Sequence, residues 1–154
     1  DVRPERILTL TFTLEGHMSA LRIPEPRSSR RVDGLWRHTC FEVFIMAEDG
    51  PGYREFNFSP SGEWAAYAFR GYRDVDKPGI ELAPEIVVRR TGDRLELDAA
   101  ICQDVLPSGR RLRLGLCAVV EDAAGIFSYW ALRHPAGKPD FHHTDAFAMQ
   151  LEKS

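Results

Sequence analysis

Two carboxylates and an amide stand out in residues 36–73, a segment otherwise rich in aromatic and strand-forming residues. Alternation puts Glu42 on the side of its strand opposite to its apolar neighbours, and it puts Glu55 and Asn57 together on one side of the next strand. Carboxylates and amides can hydrogen-bond sugar hydroxyls or coordinate a hard cation such as calcium. The sequence therefore predicts a polar recognition surface, and the alternative is an ordinary solvated sheet face.

Aromatic side chains surround this polar set, and flat rings stack well on sugar rings or conjugated ligands. The candidates for such contacts are Trp36, Trp64, Tyr67 and Trp130. Burial in an apolar core is the alternative explanation for each ring. Arg73 adds a planar cation that can meet an anionic group bidentately, which would favour a sugar phosphate or a uronic acid.

A second polar cluster lies in residues 128–143, where prolines and glycines indicate a loop. His134, Asp140 and His142 are expected to contact a ligand or to anchor this loop. The spacing matches neither a helical HxxxH pair nor a zinc signature, so no metal site is predicted here. The loop is expected to form a second wall beside the polar strands.

No complete catalytic apparatus is visible in the sequence. Residues 59–62, SPSG, lack the GxSxG elbow of a nucleophilic serine, and no glycine-rich phosphate loop is present. Cys40 is expected to be a small buried thiol. Non-catalytic ligand binding is therefore favoured. The alternative is a sugar-active enzyme that uses Glu42 and Glu55 as paired carboxylates, which would have to stand roughly 5 to 9.5 Å apart.

Period-two alternation dominates the chain and helical periodicity is nearly absent. About ten short strands with frequent turn signals favour an all-β fold, an antiparallel β-sandwich of the jelly-roll type with little helix. No linker divides the sequence, so residues 1–154 are expected to form one domain. The one weak helix candidate covers residues 100–105. The strands are predicted over residues 7–14, 18–23, 40–46, 53–59, 63–69, 85–90, 94–101, 111–120, 126–132 and 146–151.

Composition narrows the classes of partner. The net charge of −3 and the lack of a basic stripe argue against a nucleic-acid partner, and no apolar run reaches the roughly 18 residues of a membrane span. Three cysteines without a CxxC pair favour a reducing compartment, so the cytoplasm is predicted. Export is the alternative, because the chain begins at Asp1. A homo-oligomer or a partner docked on the polar face is a further alternative to a small-molecule ligand.

Three segments resemble the bacterial DOMON-like proteins, which are related to family-9 carbohydrate-binding modules: GLWRHTCFEVFI, YREFNFSPSGEWAAYAFRGYR and YWALRHPAGKPDFHH. The resemblance spans nearly the whole chain, and its most specific part is YxExNxSPSGxWxxYxFxxYR at residues 53–73. It implies a jelly-roll sandwich that binds a sugar or haem without catalysis. In the sugar-binding relatives tryptophans sandwich a terminal sugar, with structural calcium nearby. Haem-binding relatives use methionine and histidine ligands, for which His17, Met18, Met46 and His134 are the candidates here.

Overall fold

Two antiparallel sheets pack face to face in a computed structural model that describes residues 6–76, 80 and 82–153. The described residues form ten strands, and the only helices among them are single 3-10 turns. The predicted all-β sandwich with about ten strands is therefore confirmed. The strands are β1 Ile7–Glu15, β2 Cys40–Ala47, β3 Tyr53–Phe58, β4 Trp64–Gly71, β5 Asp74–Asp76, β6 Glu85–Arg90, β7 Arg94–Cys102, β8 Arg111–Glu121, β9 Phe127–Ala131 and β10 Met149–Glu152.

The smaller sheet has three strands in the order β1-β7-β6. The larger sheet has seven, in the order β10-β8-β2-β3-β4-β5, with β9 also paired to β8. β10 pairs with residues 111–114 of β8, and β9 pairs with residues 117–121 of the same strand. β8 therefore carries β2 on one edge and two short strands in succession on the other.

The main core lies between the two sheets and is built from the inward side chains of alternating strands. In β7 every second residue is buried, from Leu95 to Ile101. In the opposite sheet Phe41 and Phe58 point inward, and Phe12 of β1 stacks on Phe41 with ring centroids 5.1 Å apart. The alternation seen in the sequence therefore sets which side of each strand faces the core.

The larger sheet also buries much of its outer face, the face turned away from the three-stranded sheet. All eight residues of β2 are buried. Residues 132–148, which we name the covering loop, lie over this face. Phe147 of the covering loop stacks on Phe44 of β2 at 5.9 Å between ring centroids and meets Tyr53 edge-on at 5.6 Å. A second apolar cluster thus forms outside the sandwich core.

Two predicted elements differ from the structure. Residues 18–23 begin with a 3-10 turn, Met18–Ala20, and Leu21 then makes a single bridge to Asp122 in place of a strand. The helix candidate at residues 100–105 is the end of β7 followed by a 3-10 turn, Gln103–Val105. Short apolar runs of this kind do not distinguish a helix from a strand by periodicity.

No helix among the described residues has the length and apolar character needed to span a membrane.

Gly115 of β8 is a point of close approach between the covering loop and the sheet. A β-carbon added there would lie 3.0 Å from the carbonyl oxygen of Ala146 and 3.0 Å from Cδ1 of Phe147. We expect Gly115→Ala to lower the free energy of unfolding by about 1–3 kcal/mol, as overpacking does in other cores. Urea denaturation of the two proteins measures this difference.

Gly92→Ala is the matched control, because a β-carbon on Gly92 would meet nothing within 4 Å. This control is expected to change stability by less than about 0.5 kcal/mol. Equal denaturation midpoints for Gly115→Ala and the unchanged protein would contradict close packing of the loop on β8.

Candidate functional site

A cavity of about 610 Å³ opens on the outer face of the larger sheet. Its floor consists of side chains from β2, β3, β4 and β8, and its walls come from residues 33–37, the covering loop and the exposed strands β5 and β9. The volume lies within the range of about 300–1,000 Å³ that is typical of small-molecule sites. The lining residues are Asp33, Gly34, Trp36, Arg37, Glu42, Glu55, Tyr67, Phe69, Arg73, Val75, Val119, Tyr129, Pro139, Asp140, Phe141 and His142.

Strand register arranges the outer face in three rows that run from β8 through β2 and β3 to β4. The first row is Cys117, Glu42, Asn57 and Ala65. The second row is Gly115, Phe44, Glu55 and Tyr67. The third row is Arg113, Met46, Tyr53 and Phe69. Glu42 and Glu55 are therefore diagonal neighbours. The Cα atoms of such residues lie about 7–8 Å apart in an antiparallel pair.

The covering loop occupies only part of these rows, and this leaves room for the cavity. Phe147 covers Phe44 and Tyr53, while the ring of His142 meets Phe44 at 4.9 Å and Phe69 at 5.1 Å between centroids. Glu42 of the first row and Glu55 of the second remain as cavity floor. The cavity is thus the portion of the outer face that the covering loop does not fill.

Both floor carboxyl groups are almost completely buried, with Glu42 3% and Glu55 7% exposed. Burial raises the pKa of Glu42 from 4.5 to about 7. The pKa of Glu55 is also raised, first by burial and then by the charge of Glu42. The Cys40 thiol, itself fully buried, donates a weak hydrogen bond to Glu42 over 3.8 Å. At neutral pH the two carboxyl groups are therefore not both ionised, because two negative charges would repel each other at low dielectric.

A hydrogen-bonded network fixes the wall next to Glu55. The Tyr53 hydroxyl accepts from the backbone N–H of Arg73 at 3.0 Å and lies 2.8 Å from Nδ1 of His142. Asp140 accepts from the Arg73 guanidinium at 2.9 Å and from the His142 backbone N–H at 3.1 Å, and it also accepts from the Tyr72 hydroxyl. These contacts hold Arg73 at a φ of 54°, a left-handed conformation that costs free energy in a non-glycine residue.

The protonation of His142 follows from its surroundings. Burial, together with the charge of Arg73, lowers the pKa of His142 from 6.5 to about 4, so its ring is neutral at pH 7. The arrangement that satisfies every group has the Tyr53 hydroxyl donating to Nδ1, with the proton of the ring on Nε2. Nε2 lies 3.7 Å from Oε1 of Glu55. The wall thus presents a neutral N–H beside the floor carboxyl.

Aromatic rings and arginines form the rim of the cavity. Trp36 is 52% exposed, and the Arg37 guanidinium lies 5.3 Å from the centroid of its ring. Tyr67 is half-buried, donates its hydroxyl proton to Asp33 at 2.7 Å and lies 5.3 Å below the Arg31 guanidinium. Trp36 is therefore the rim aromatic most available to a ligand.

Seven of the residues singled out from the sequence line this cavity: Trp36, Glu42, Glu55, Tyr67, Arg73, Asp140 and His142. Asn57 lies in the first row beside Glu42 and is fully buried, without lining the cavity. The expectation of a solvated outer face needs correction, because the covering loop shields that face. The sequence did not identify Asp33, Arg37, Val119 and Phe141 as lining residues. The only signal was the turn at Asp33-Gly34, where Gly34 has a φ of 80°.

Three expected ligand contacts lie elsewhere. Trp64 points into the core between the sheets and is 5% exposed, because it has the opposite parity to Tyr67 on β4. Trp130 is 63% exposed and lines a separate groove beside β1. His134 is exposed and stacks on Phe141 with centroids 6.4 Å apart. The structure therefore does not bring Trp64, Trp130 or His134 to the cavity.

The candidate haem ligands are not brought together either. Met18 is in the core between the sheets, whereas Met46 belongs to the cluster on the outer face, so the larger sheet separates them. His17 is exposed next to Met18, and His134 is on the covering loop. For calcium, the described residues include no group of three or more His, Cys, Asp or Glu placed to hold a metal ion.

Comparison with known proteins identifies a shared fold. No family model matches the sequence, and no curated protein matches it. The structure is similar to the crystal structure of a putative carbohydrate-binding protein from Bacteroides uniformis, with a TM-score of 0.67 and 15% sequence identity. The alignment covers 97% of this chain and 74% of that chain. At this level of identity the similarity establishes the β-sandwich fold alone.

The raised pKa of Glu42 makes stability depend on pH. Because the folded-state value of about 7 is above the ordinary 4.5, the protonated carboxyl is favoured by folding. Its contribution is complete below about pH 4.5 and is lost as the pH rises to about 7. We expect the stability of the unchanged protein relative to Glu42→Gln to fall by on the order of 3 kcal/mol over this range and then to level off.

Urea denaturation of both proteins at several pH values from 4.5 to 8 measures this difference. His142 has the opposite sign, since its lowered pKa adds stability as the pH rises from about 4 to 6.5, but it is present in both proteins and cancels. Glu25→Gln, at an exposed position, is the control and is expected to show no such trend. A pH-independent difference for Glu42→Gln would mean that folding does not raise the pKa of Glu42.

Proposed function

We propose that this cavity binds a small carbohydrate or a sugar-containing metabolite without catalysing a reaction. The observation that carries the proposal is the combination, in one cavity of about 610 Å³, of two buried carboxyl groups on the floor and an exposed tryptophan on the rim. A sugar ring offers an apolar face for the tryptophan and hydroxyl groups for the floor.

The proposed recognition divides the sugar between rim and floor. Trp36 stacks on one face of the ring at the cavity mouth. Glu42 and Glu55 hydrogen-bond hydroxyl groups at the floor, since a carboxyl group can accept and, when protonated, also donate. The Nε2–H of His142 supplies a further donor beside Glu55. The network of Tyr53, Arg73 and Asp140 then acts by holding the His142 ring in place.

Arg73 does not favour an anionic ligand in this arrangement. Its guanidinium is already engaged by Asp140 at 2.9 Å and by the Tyr72 hydroxyl at 3.2 Å. Binding a sugar phosphate or a uronic acid through Arg73 would require breaking these contacts. We therefore propose that Arg73 positions the covering loop and does not contact the ligand directly.

The wider assignment is consistent with this proposal. The resemblance to DOMON-like proteins and family-9 modules, and the carbohydrate-binding description of the Bacteroides uniformis protein, both support a sugar-like ligand. We further propose that residues 1–154 act as one domain and that the protein works in the cytoplasm as a monomer or homo-oligomer. Exposed aromatic residues on β9, Tyr129 and Trp130, are where a second copy would pack.

A sugar-active enzyme is the second candidate, and the position of Glu42 and Glu55 in one cavity favours it. A carboxyl group with a pKa of about 7 is matched to general acid–base work at neutral pH. The enzymatic function predicts hydrolysis of p-nitrophenyl glycosides by the unchanged protein and none by Glu42→Gln or Glu55→Gln. Absence of hydrolysis across a panel of α- and β-glycosides leaves binding as the function.

Two tryptophans test the location of the site. We expect Trp36→Ala to weaken binding of a monosaccharide roughly three- to tenfold, because the stacking surface at the mouth is removed. Trp130→Ala is the matched control, since Trp130 is also exposed but lies in another groove. Isothermal titration calorimetry or ligand-observed NMR with a panel of monosaccharides and disaccharides measures both. Loss of binding in Trp130→Ala alone would place the site outside the cavity, and no binding across the panel would refute the function.

A further inference from the structure

Acidic groups outnumber cations in the lining of the cavity. Among the described residues the charged lining groups are Asp33, Glu42, Glu55, Asp140, Arg37 and Arg73. Asp140 and Arg73 neutralise each other at 2.9 Å, and Asp33 is 3.4 Å from the Arg31 guanidinium. Arg37 lies at the mouth over Trp36. Within the described residues, the two floor carboxyl groups are thus left without an ion pair to an arginine or lysine.

The partners of the floor carboxyl groups confirm this count. Within the described residues, the only side-chain contact of Glu42 that involves a hydrogen bond is with the Cys40 thiol, at 3.8 Å. The basic group nearest to Glu55 is Nε2 of His142 at 3.7 Å, and that ring is neutral at pH 7 because burial lowers its pKa. A buried carboxylate without a cation is costly, so the empty protein neutralises the pair with protons.

Asn57, which lies beside the floor, is an independent indication that a polar group binds there. This residue is 0% exposed, and neither its amide oxygen nor its amide nitrogen has a hydrogen-bond partner in the described part of the chain. It is paired across β2 and β3 with Glu42, and its side chain leaves the same face. Unpartnered buried amides are rare because each lost hydrogen bond costs free energy. A polar group placed between Glu42 and Glu55 would be adjacent to this amide.

Aromatic side chains line the cavity beside the two carboxyl groups. Tyr67 and Phe69 of β4 and Phe141 of the covering loop line the same cavity. The faces of aromatic rings attract cations, most strongly where water is excluded. Acceptors at the floor and aromatic rings at the sides together match a group that carries a positive charge and several N–H donors.

We propose that the ligand carries a protonated amine and that its ammonium group binds between Glu42 and Glu55. The inference rests on the proposed sugar-binding function and narrows it to amino sugars with a free amino group. On binding, the ammonium group takes over the neutralising role of the carboxyl proton. The protonated carboxyl becomes a carboxylate paired with the ammonium group, and one proton passes to solvent. The total charge is unchanged.

The other groups that face the carboxyl pair do not supply this proton. The Cys40 and Cys117 thiols stay protonated, since burial raises the pKa of both. Tyr67 also stays protonated, because burial and its hydrogen bond to Asp33 raise its pKa. His142 is already neutral.

The remaining neighbours are the fixed charges. Against the effect of burial, hydrogen bonds from Tyr72 and Arg73 lower the pKa of Asp140. The hydrogen bond to Tyr72, followed by that to Asp140, raises the pKa of Arg73. Burial likewise raises the pKa of Tyr53, so its hydroxyl keeps its proton. Proton release at neutral pH therefore reports on Glu42 and Glu55.

Calorimetric titration at pH 7 with glucosamine, glucose and N-acetylglucosamine tests the inference. These sugars share one ring and differ in the group at a single carbon, of which only the amine is cationic. We expect glucosamine to bind at least about tenfold more tightly than the other two, given the strength of buried charge pairs. Its binding enthalpy is expected to vary with the ionisation enthalpy of the buffer, as release of up to one proton requires.

Glu42→Gln and Glu55→Gln are each expected to abolish the preference for the amine and the proton release, while Glu25→Gln retains both. Equal affinity for the three sugars, or binding without proton release, would overturn the inference and leave the sugar-binding function in place. Cyclohexylamine separates the remaining case. Binding of this amine without binding of any sugar would support the ammonium site and refute the sugar function. If neither the amines nor the sugars bind, both are refuted.

Discussion

Burial of β2 on both faces is the constraint on which the rest of the structure depends. Its inner side chains belong to the sandwich core, whereas its outer side chains would face water if the sheet had no cover. The covering loop supplies that cover, and at Gly115, where β8 has no side chain, Ala146 and Phe147 approach the strand closely. Phe147 fills this place and packs on Phe44. Because the loop is fixed over one part of the outer face, the remaining part is left as a cavity with an open mouth, not as an open sheet.

The electrostatics of the cavity follow from the same enclosure. Water that would hydrate Glu42 and Glu55 is excluded, and this raises the pKa of both groups. Asp140 of the covering loop is paired with Arg73, which lies between β4 and β5, and His142 of the loop is neutral. The strained backbone of Arg73 is maintained by its hydrogen bond to Tyr53, a residue of the second apolar cluster. The packing of the covering loop therefore contributes to the raised pKa values of Glu42 and Glu55.

Alternation in the sequence was sufficient to predict the sandwich and to place Glu42, Glu55 and Asn57 on one face. It was also the reason that Trp64 could be misjudged, since Trp64 and Tyr67 are both near the polar residues in sequence but point to opposite faces of β4. The diagonal relation of Glu42 and Glu55 depends on register between strands, which pattern alone does not specify. The cover over the outer face comes from residues 132–148, whose sequence indicates a loop but not where it lies. The contribution of residues 33–37 to the wall has the same explanation, because a turn signal locates a bend without its tertiary contacts.

The two thiols buried beside the carboxyl pair give the cavity a chemical property of their own. Cys40 and Cys117 lie in or next to the first row. Burial, followed by the charges of Glu42 and Glu55, raises the pKa of both thiols and opposes formation of a thiolate. Oxidation, alkylation and disulfide exchange all proceed through the thiolate. Burial beside acidic groups therefore disfavours the reactive form of both sulfur atoms. The surroundings that raise the pKa of the floor carboxyl groups also make the neighbouring thiols poor nucleophiles.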